Sequence, residues 1–272
     1  MSPIIMIVSA LAIIFCVKYG LLRGIDQMAD ALRWSAKTRG QITGYATSVP
    51  ELVCLVSAGL AGVWQAGLWN IASSNIINLV LMISAVVYFK QHKGLFRRRF
   101  VDEIGFAMMA IAVPIGLMTV GLDTQWYLVP VLLGFFLVYR IVDRSVNRPG
   151  VSVADDEEAA AGSLPLGLMF VLGAMIAIIV AGIFLGDATA SVVEQLGVHP
   201  AIAGWILGFV TSIPELVTFF AVYSTARKEE TLGDLNDTQE ALDNLTGSNM
   251  ANVGFVYPLG LLAYLLGVYL AS

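Results

Sequence analysis

Apolar runs of about 20 residues recur along this 272-residue chain, and a helix of that length crosses the hydrocarbon of a bilayer. That repetition restricts the fold before any motif is read. Charged residues make up 13% of the chain, against roughly 25% in a soluble domain. The apolar residues come in blocks, without the alternation of a membrane barrel. The expected fold is therefore all-α and polytopic, with about eight transmembrane helices near 2–20, 40–63, 67–89, 101–122, 125–142, 164–186, 201–225 and 245–271.

Loop charge tests that count. Lys18, Arg23, Arg33, Lys37 and Arg39 follow the first run; Lys90, Lys93, Arg97, Arg98 and Arg99 follow the third. Arg140, Arg144 and Arg148 follow the fifth; Arg227 and Lys228 follow the seventh. All 15 basic residues thus fall on one side, and the opposite loops 63–67, 122–125 and 187–200 carry none. The positive-inside rule makes the basic loops cytoplasmic and both termini external, in a cell membrane of the bacterial inner type. The first run has no basic residue before it and Lys18 after it, the reverse of a cleaved signal, so it reads as a retained span. Segment 18–39 places Leu21, Leu22, Ile25, Met28, Ala29 and Leu32 at helical spacing and reads as an amphipathic or tilted continuation of that span. Cys16 and Cys54 both fall in apolar runs, which argues against a disulfide scaffold or a zinc site.

The chain also repeats itself. Gly44-Tyr-Ala-Thr-Ser-Val-Pro-Glu51-Leu-Val returns 164 positions later as Gly208-Phe-Val-Thr-Ser-Ile-Pro-Glu215-Leu-Val, each copy inside an apolar run. A carboxylate near the bilayer centre costs at least about 2.5–3.5 kcal/mol. No Lys or Arg lies in either run to pair with Glu51 or Glu215. Two such groups are best accommodated facing each other around a cation. One copy lies in the second span and the other in the seventh, so the two run in opposite directions. That is the inverted-repeat plan of secondary transporters, with ion sites at midplane between the repeats. The division is a first half-repeat of five spans (1–142), a cytoplasmic connection (143–163) and a second half-repeat of three spans (164–272).

Within each copy Gly44, Thr47, Ser48 and Glu51, and likewise Gly208, Thr211, Ser212 and Glu215, share one helical face. Pro50 and Pro214 deprive the carbonyls of Ala46 and Val210 of their helix donors, and freed carbonyls in a membrane belong beside a polar cavity. The next span repeats too: Asn70, Ser74 and Asn78 form a stripe matched by Asn244, Ser248 and Asn252. Four polar faces would then converge. Every donor is a hard oxygen, and two bidentate glutamates with two carbonyls approach the 6–8 oxygens that calcium takes. Asn70 and Asn75 also read as interhelical glue. The acidic stretches 155–158 and 226–243 lack the spacing of a calcium-binding loop and read as solvated loops.

Thr-Ser-x-Pro-Glu-Leu followed by Ser-Asn-x-x-Asn, twice and inverted, resembles the alpha repeats of the calcium/cation antiporter superfamily, which includes sodium/calcium exchangers. The resemblance covers 40–80 and 204–254. It implies alternating access, with Glu51 and Glu215 as central calcium ligands assisted by Thr47 and Thr211. It makes Ser48, Ser212, Ser74 and Ser248 the sodium-binding serines and Asn78 and Asn252 the distal pair, and it has the first and sixth spans slide over a rigid core. No cofactor is implied; the ions are calcium with sodium or protons. Three departures carry expectations. Ala46, Val210 and Ser73 stand where members carry glycine, which stiffens the motif. Asparagine at both 78 and 252 resembles the proton-coupled members, and a site of charge −2 matches one calcium, two sodium ions or two protons. The family's last two helices have no counterpart, so the expectation is either a compact eight-span variant or a homodimer or partner helix covering the seventh and eighth spans.

The alternatives are an enzyme and a sensor. Two glutamates alone offer acid–base groups, yet no nucleophile–base pair, metal-binding histidines or phosphate loop accompanies them, so no enzyme is expected. Nor is a nucleic-acid partner. A cation-binding sensor or assembly subunit that has lost transport is the second reading.

Overall fold

The computed structural model describes residues 2–95, 97–146, 162–228, 230–232 and 235–271, and its architecture is helical throughout. The first helix, α1 (Ser2–Cys16), passes through a π-helical turn (Val17–Leu21) into α2 (Leu22–Leu32), so the amphipathic continuation is one bent rod with the first run. It stops at Arg33, whose left-handed backbone (φ 50°) caps it, and Ser35 starts α3 (Ala36–Thr47) by accepting the Thr38 amide. After α4 (Val49–Leu60) come α5 (Trp64–Tyr88), the single turn α6 (His92–Leu95), α7 (Val101–Val120) and α8 (Leu128–Val146). The second part holds α9 (Leu164–Leu196), α10 (Pro200–Thr211), α11 (Ile213–Lys228) and α12 (Leu235–Ala251). A second π-helical turn (Asn252–Val256) joins α12 to α13 (Tyr257–Ala271).

Among the described residues, six helical stretches are long and apolar enough to cross a membrane: Ile4–Leu32, Trp64–Tyr88, Val101–Val120, Leu164–Thr189, Pro200–Lys228 and Leu235–Leu270. The other two runs expected to span, 40–63 and 125–142, are helical but fall short for definite reasons. In the former the first half, α3, is polar, with Lys37, Arg39, Gln41 and Thr43. The latter ends in Arg140, Asp143 and Arg144. The last span starts at Leu235 rather than 245, which turns part of the expected acidic loop into buried helix: Asp237 and Asp243 are 7% and 1% exposed. The acidic run 155–158 lies outside the described residues.

Three apolar clusters hold the helices. Ile13, Val17, Leu21 and Ile25 meet Ile178 and Leu185, so that α1 and α2 lie along α9. Leu55, Leu68, Phe106, Leu132 and Tyr257 tie α4, α5, α7 and α8 to the final rod. Met82, Phe100, Phe219, Tyr223 and Leu242 close the end bearing the basic loops. Outward faces of α1, α8, α9 and α13 expose Leu11, Leu137, Ile176 and Leu266, as a lipid-facing surface does.

Two tight seams set the centre. α3 lies along α12, and α10 along α5. At Gly44 an added Cβ would collide with the Asn244 carbonyl oxygen and sit 2.7 Å from the Ser248 nitrogen. At Gly208 it would meet the Asn70 carbonyl at 2.9 Å and the Ser73 hydroxyl. Gly40 and Gly204 repeat these approaches one turn earlier, against the backbone of Glu240 and Ala66. Such backbone-to-backbone packing is how helices associate without a hydrophobic drive between them.

Candidate cation site

The repeated motif breaks its helix in both copies. α3 ends at Thr47 and α4 begins at Val49; α10 ends at Thr211 and α11 begins at Ile213. Pro50 and Pro214 fall in the first turn of the new helix, where the missing N–H costs nothing further. Glu51 and Glu215 therefore sit in the first turns of α4 and α11, beside positive helix ends. From the sequence, proline frees the Ala46 and Val210 carbonyls; in the structure these accept the Ser48 and Ser212 amides, and the breaks instead supply a helix N-terminus beside each carboxylate.

All ten residues expected at the site come together in the interior. Thr47, Glu51, Ser74, Asn78, Thr211, Ser212, Glu215, Ser248 and Asn252 are fully buried, and Ser48 is 2% exposed. Glu51 and Glu215 lie close enough to interact electrostatically. No basic side chain pairs with either one among the described residues. Around them the hydroxyls and amides are ordered. Ser248 donates to Glu215 Oε1 at 3.0 Å and lies 3.0 Å from the Ser48 hydroxyl. Thr211 donates to Asn70 Oδ1 at 3.2 Å, and Thr47 to the Gly44 carbonyl at 3.2 Å. Ser74 turns back on Ile71 at 3.1 Å, and Ser212 reaches the Ser74 carbonyl at 3.5 Å.

The asparagines divide the work. Asn75 and Asn249 are glue: Asn75 donates to the Ala110 carbonyl at 2.9 Å, and Asn249 to the Asn75 carbonyl at 3.1 Å. They also accept the amides of the distal pair, Asn252 onto Asn75 Oδ1 at 2.9 Å and Asn78 onto Asn249 Oδ1 at 3.2 Å. That fixes the distal amides with their nitrogens engaged and their oxygens free. On the ten residues expected at the site, five buried oxygens have no donor among the described residues: Glu51 Oε1 and Oε2, Glu215 Oε2, Asn78 Oδ1 and Asn252 Oδ1. Buried acceptors are almost always satisfied. Two of the residues in this group are carboxylates, which burial tolerates only with a positive partner or a proton.

The two halves are not equivalent. Glu215 has the Ser248 hydroxyl at 3.0 Å, whereas neither oxygen of Glu51 has a donor within hydrogen-bond distance among the described residues. Ser73, expected to stiffen the chain, instead braces α5 to α10, donating to the Gly204 carbonyl at 3.1 Å. Its counterpart in the other half is Gly247.

A second polar network was not expected. Lys37 pairs with Asp143. The Gln41 amide donates to Asp143 at 2.8 Å and to Asp243 at 3.3 Å, and Gln239 donates to Asp243 at 2.6 Å and to Glu103 at 3.2 Å. Arg140 donates to Gln41 Oε1 at 2.6 Å and to the Tyr45 hydroxyl at 2.7 Å. These groups join α3, α7, α8 and α12 at the end that carries the basic loops.

With this geometry in view, comparison with known proteins is decisive for the family. The sequence profile of the sodium/calcium exchanger proteins matches residues 1–142 and 166–270. The chain belongs to that family. It is an integral membrane protein of the exchanger type. No curated protein sequence matches it. Among solved structures, the sodium-calcium exchanger NCX_Mj soaked with 100 mM Na+ and 10 mM Sr2+ is 22% identical, with 97% of this chain and 83% of that chain covered and a TM-score of 0.57. The H+/Ca2+ exchanger CAX is 13% identical over 98% of this chain and 69% of that chain, with a TM-score of 0.66. At these identities the likeness is one of fold.

Proposed function

We propose that this exchanger-family protein is a secondary antiporter that moves calcium across the membrane in exchange for sodium or protons, by alternating access. The cation sits at midplane between Glu51 and Glu215. The single observation behind this reading is the set of five buried site oxygens, three on the Glu51 and Glu215 carboxylates and two on Asn78 and Asn252, that have no donor among the described residues. Hard oxygens at that number suit calcium, with backbone carbonyls near Thr47 and Thr211 completing the shell. Thr47, Thr211, Ser48, Ser212, Ser74 and Ser248 orient these groups and offer hydroxyls to the smaller ion. The protein then has eight spans in two inverted halves, both termini external and the basic loops cytoplasmic. The broken α3–α4 counts as one span and α8 as another.

The site charge of −2 gives one calcium per two monovalent ions, an electroneutral exchange. Calcium-45 uptake into proteoliposomes under imposed sodium or proton gradients tests this. Uptake driven by one of the gradients, and lost in Glu51→Gln and Glu215→Gln, is the expected result. Saturable calcium binding without flux would instead make the chain a sensor, and neither binding nor flux would end the reading.

A further inference from the structure

A cavity of about 300 Å³ opens beside the site, on the side of the basic loops, between α2, α3, α11 and α12. Its charged wall is uneven: Asp26, Asp237 and Glu240 against Arg39 alone. Its inner end is made of hydroxyls. Thr43 and Thr218 line it, and both are nearly buried, at 6% and 7% exposure. Thr43 lies one helical turn from Thr47 on α3, and Thr218 one turn from Glu215 on α11. The cavity therefore reaches from solvent to within a turn of Glu215 on α11, and to within a turn of Thr47 at the end of α3, the helix that precedes the one carrying Glu51.

Arg39 occupies the mouth of this path. Its guanidinium pairs with Asp26 of α2, and its Nε lies 3.5 Å from Glu240 Oε1 of α12. Arg39 thus spans the gap between the α1–α2 rod and the central seam. Its side chain is 35% exposed and Glu240's is 21% exposed, so the bridge stands at the boundary with water. A guanidinium there does two things. It cancels one of three negative charges in a low-dielectric mouth, where charge of one sign concentrates ions of the other. It also fills, with a tethered cation, the carboxylates an arriving cation meets first.

We propose that this cavity is the entry to the ion path from the basic-loop side, and that Arg39 is its resident counter-cation, displaced from Asp26 and Glu240 when a metal ion enters. The inference rests on the site reading above, but its test does not need transport. In a background with Cys16 and Cys54 replaced by alanine, Thr43→Cys is exposed to a trimethylammonium-bearing thiosulfonate and to a neutral one of similar size, from the basic-loop side of membrane vesicles. Adding Arg39→Gln is expected to raise the rate for the cationic reagent by roughly three- to tenfold at low salt, with little change for the neutral one. Arg39→Lys is expected to stay near the parent rate. An unchanged cationic rate, or an equal rise for both reagents, overturns the proposal. Should Arg39→Gln fail to fold, Glu240→Gln serves in its place and is expected to slow the cationic reagent; no slowing overturns the proposal equally. Absence of calcium flux alongside the predicted labelling would refute the antiporter reading and leave this one standing.

Discussion

Glu51→Gln separates the cation reading from a structural one because it pulls two observables in opposite directions. In the parent, Glu51 is a fully buried carboxylate with neither oxygen bonded among the described residues. A glutamine there keeps the volume and removes the charge, so the ion-free protein should lose nothing in stability and is expected to gain. Calcium binding should suffer, because the bound ion then carries one charge too many for the site. Breaking a buried charge pair on one side costs about 3–5 kcal/mol, or roughly two to three and a half orders of magnitude in affinity. Calcium at 100 times the parent Kd stabilises the parent by about 2.7 kcal/mol. At that concentration the variant gains less than about 0.4 kcal/mol by the same relation. At roughly 2–4 °C per kcal/mol, the parent should melt about 5–10 °C higher with calcium and the variant about 1 °C higher at most. Tryptophan fluorescence in detergent follows both melts, and the chain has five tryptophans. A variant that keeps more than half of the parent's calcium shift would refute the reasoning.

Three further expectations concern the surroundings of the pair. Ser248→Ala removes a hydroxyl bonded to a carboxylate, worth about 1.5–3 kcal/mol, whereas Ser74→Ala removes one bonded to a backbone carbonyl, worth nearer 1 kcal/mol. Calcium transport should fall further in the first; equal loss counts against the asymmetry of the site. Gly44→Ala should destabilise the protein by about 1–3 kcal/mol through collision with α12, while Gly105→Ala, with nothing within 4 Å, should be neutral or slightly stabilising. Thermal melts of the two variants decide that. A potential-sensitive dye in proteoliposomes should report no voltage during exchange; a current equivalent to three monovalent ions per calcium rules out the charge-matched site.

The site was legible in the sequence for a reason peculiar to membranes. An acid in an apolar run is costly wherever it points, so Glu51 and Glu215 announce themselves, and the stripes of Asn70, Ser74 and Asn78 follow from helical spacing alone. What neighbours decide was not legible. Lys37, Asp143 and Asp243 lie at the ends of runs, where a charge reads as solvated; only packing of α3, α7, α8 and α12 shows them 9%, 2% and 1% exposed. Asn75 and Asn78 carry the same side chain three positions apart, yet one donates across to α7 and the other presents an oxygen. Spacing cannot separate them, because the difference lies in the partner each amide meets. The breaks at Ser48 and Ser212 escaped in the same way: proline predicts a disturbed turn, and the structure makes each an end and a fresh start.

The glycine seams restrict how such a molecule can move. With Gly40 and Gly44 sunk against the backbone of α12, a shift of α3 by one residue would drive Gln41 or Tyr45 into a slot that admits no side chain. Gly204 and Gly208 impose the same on α10 against α5. Each pair is a cog meshed with its mate, and any swing between the two faces of the membrane must carry both members together and leave the slippage to other surfaces.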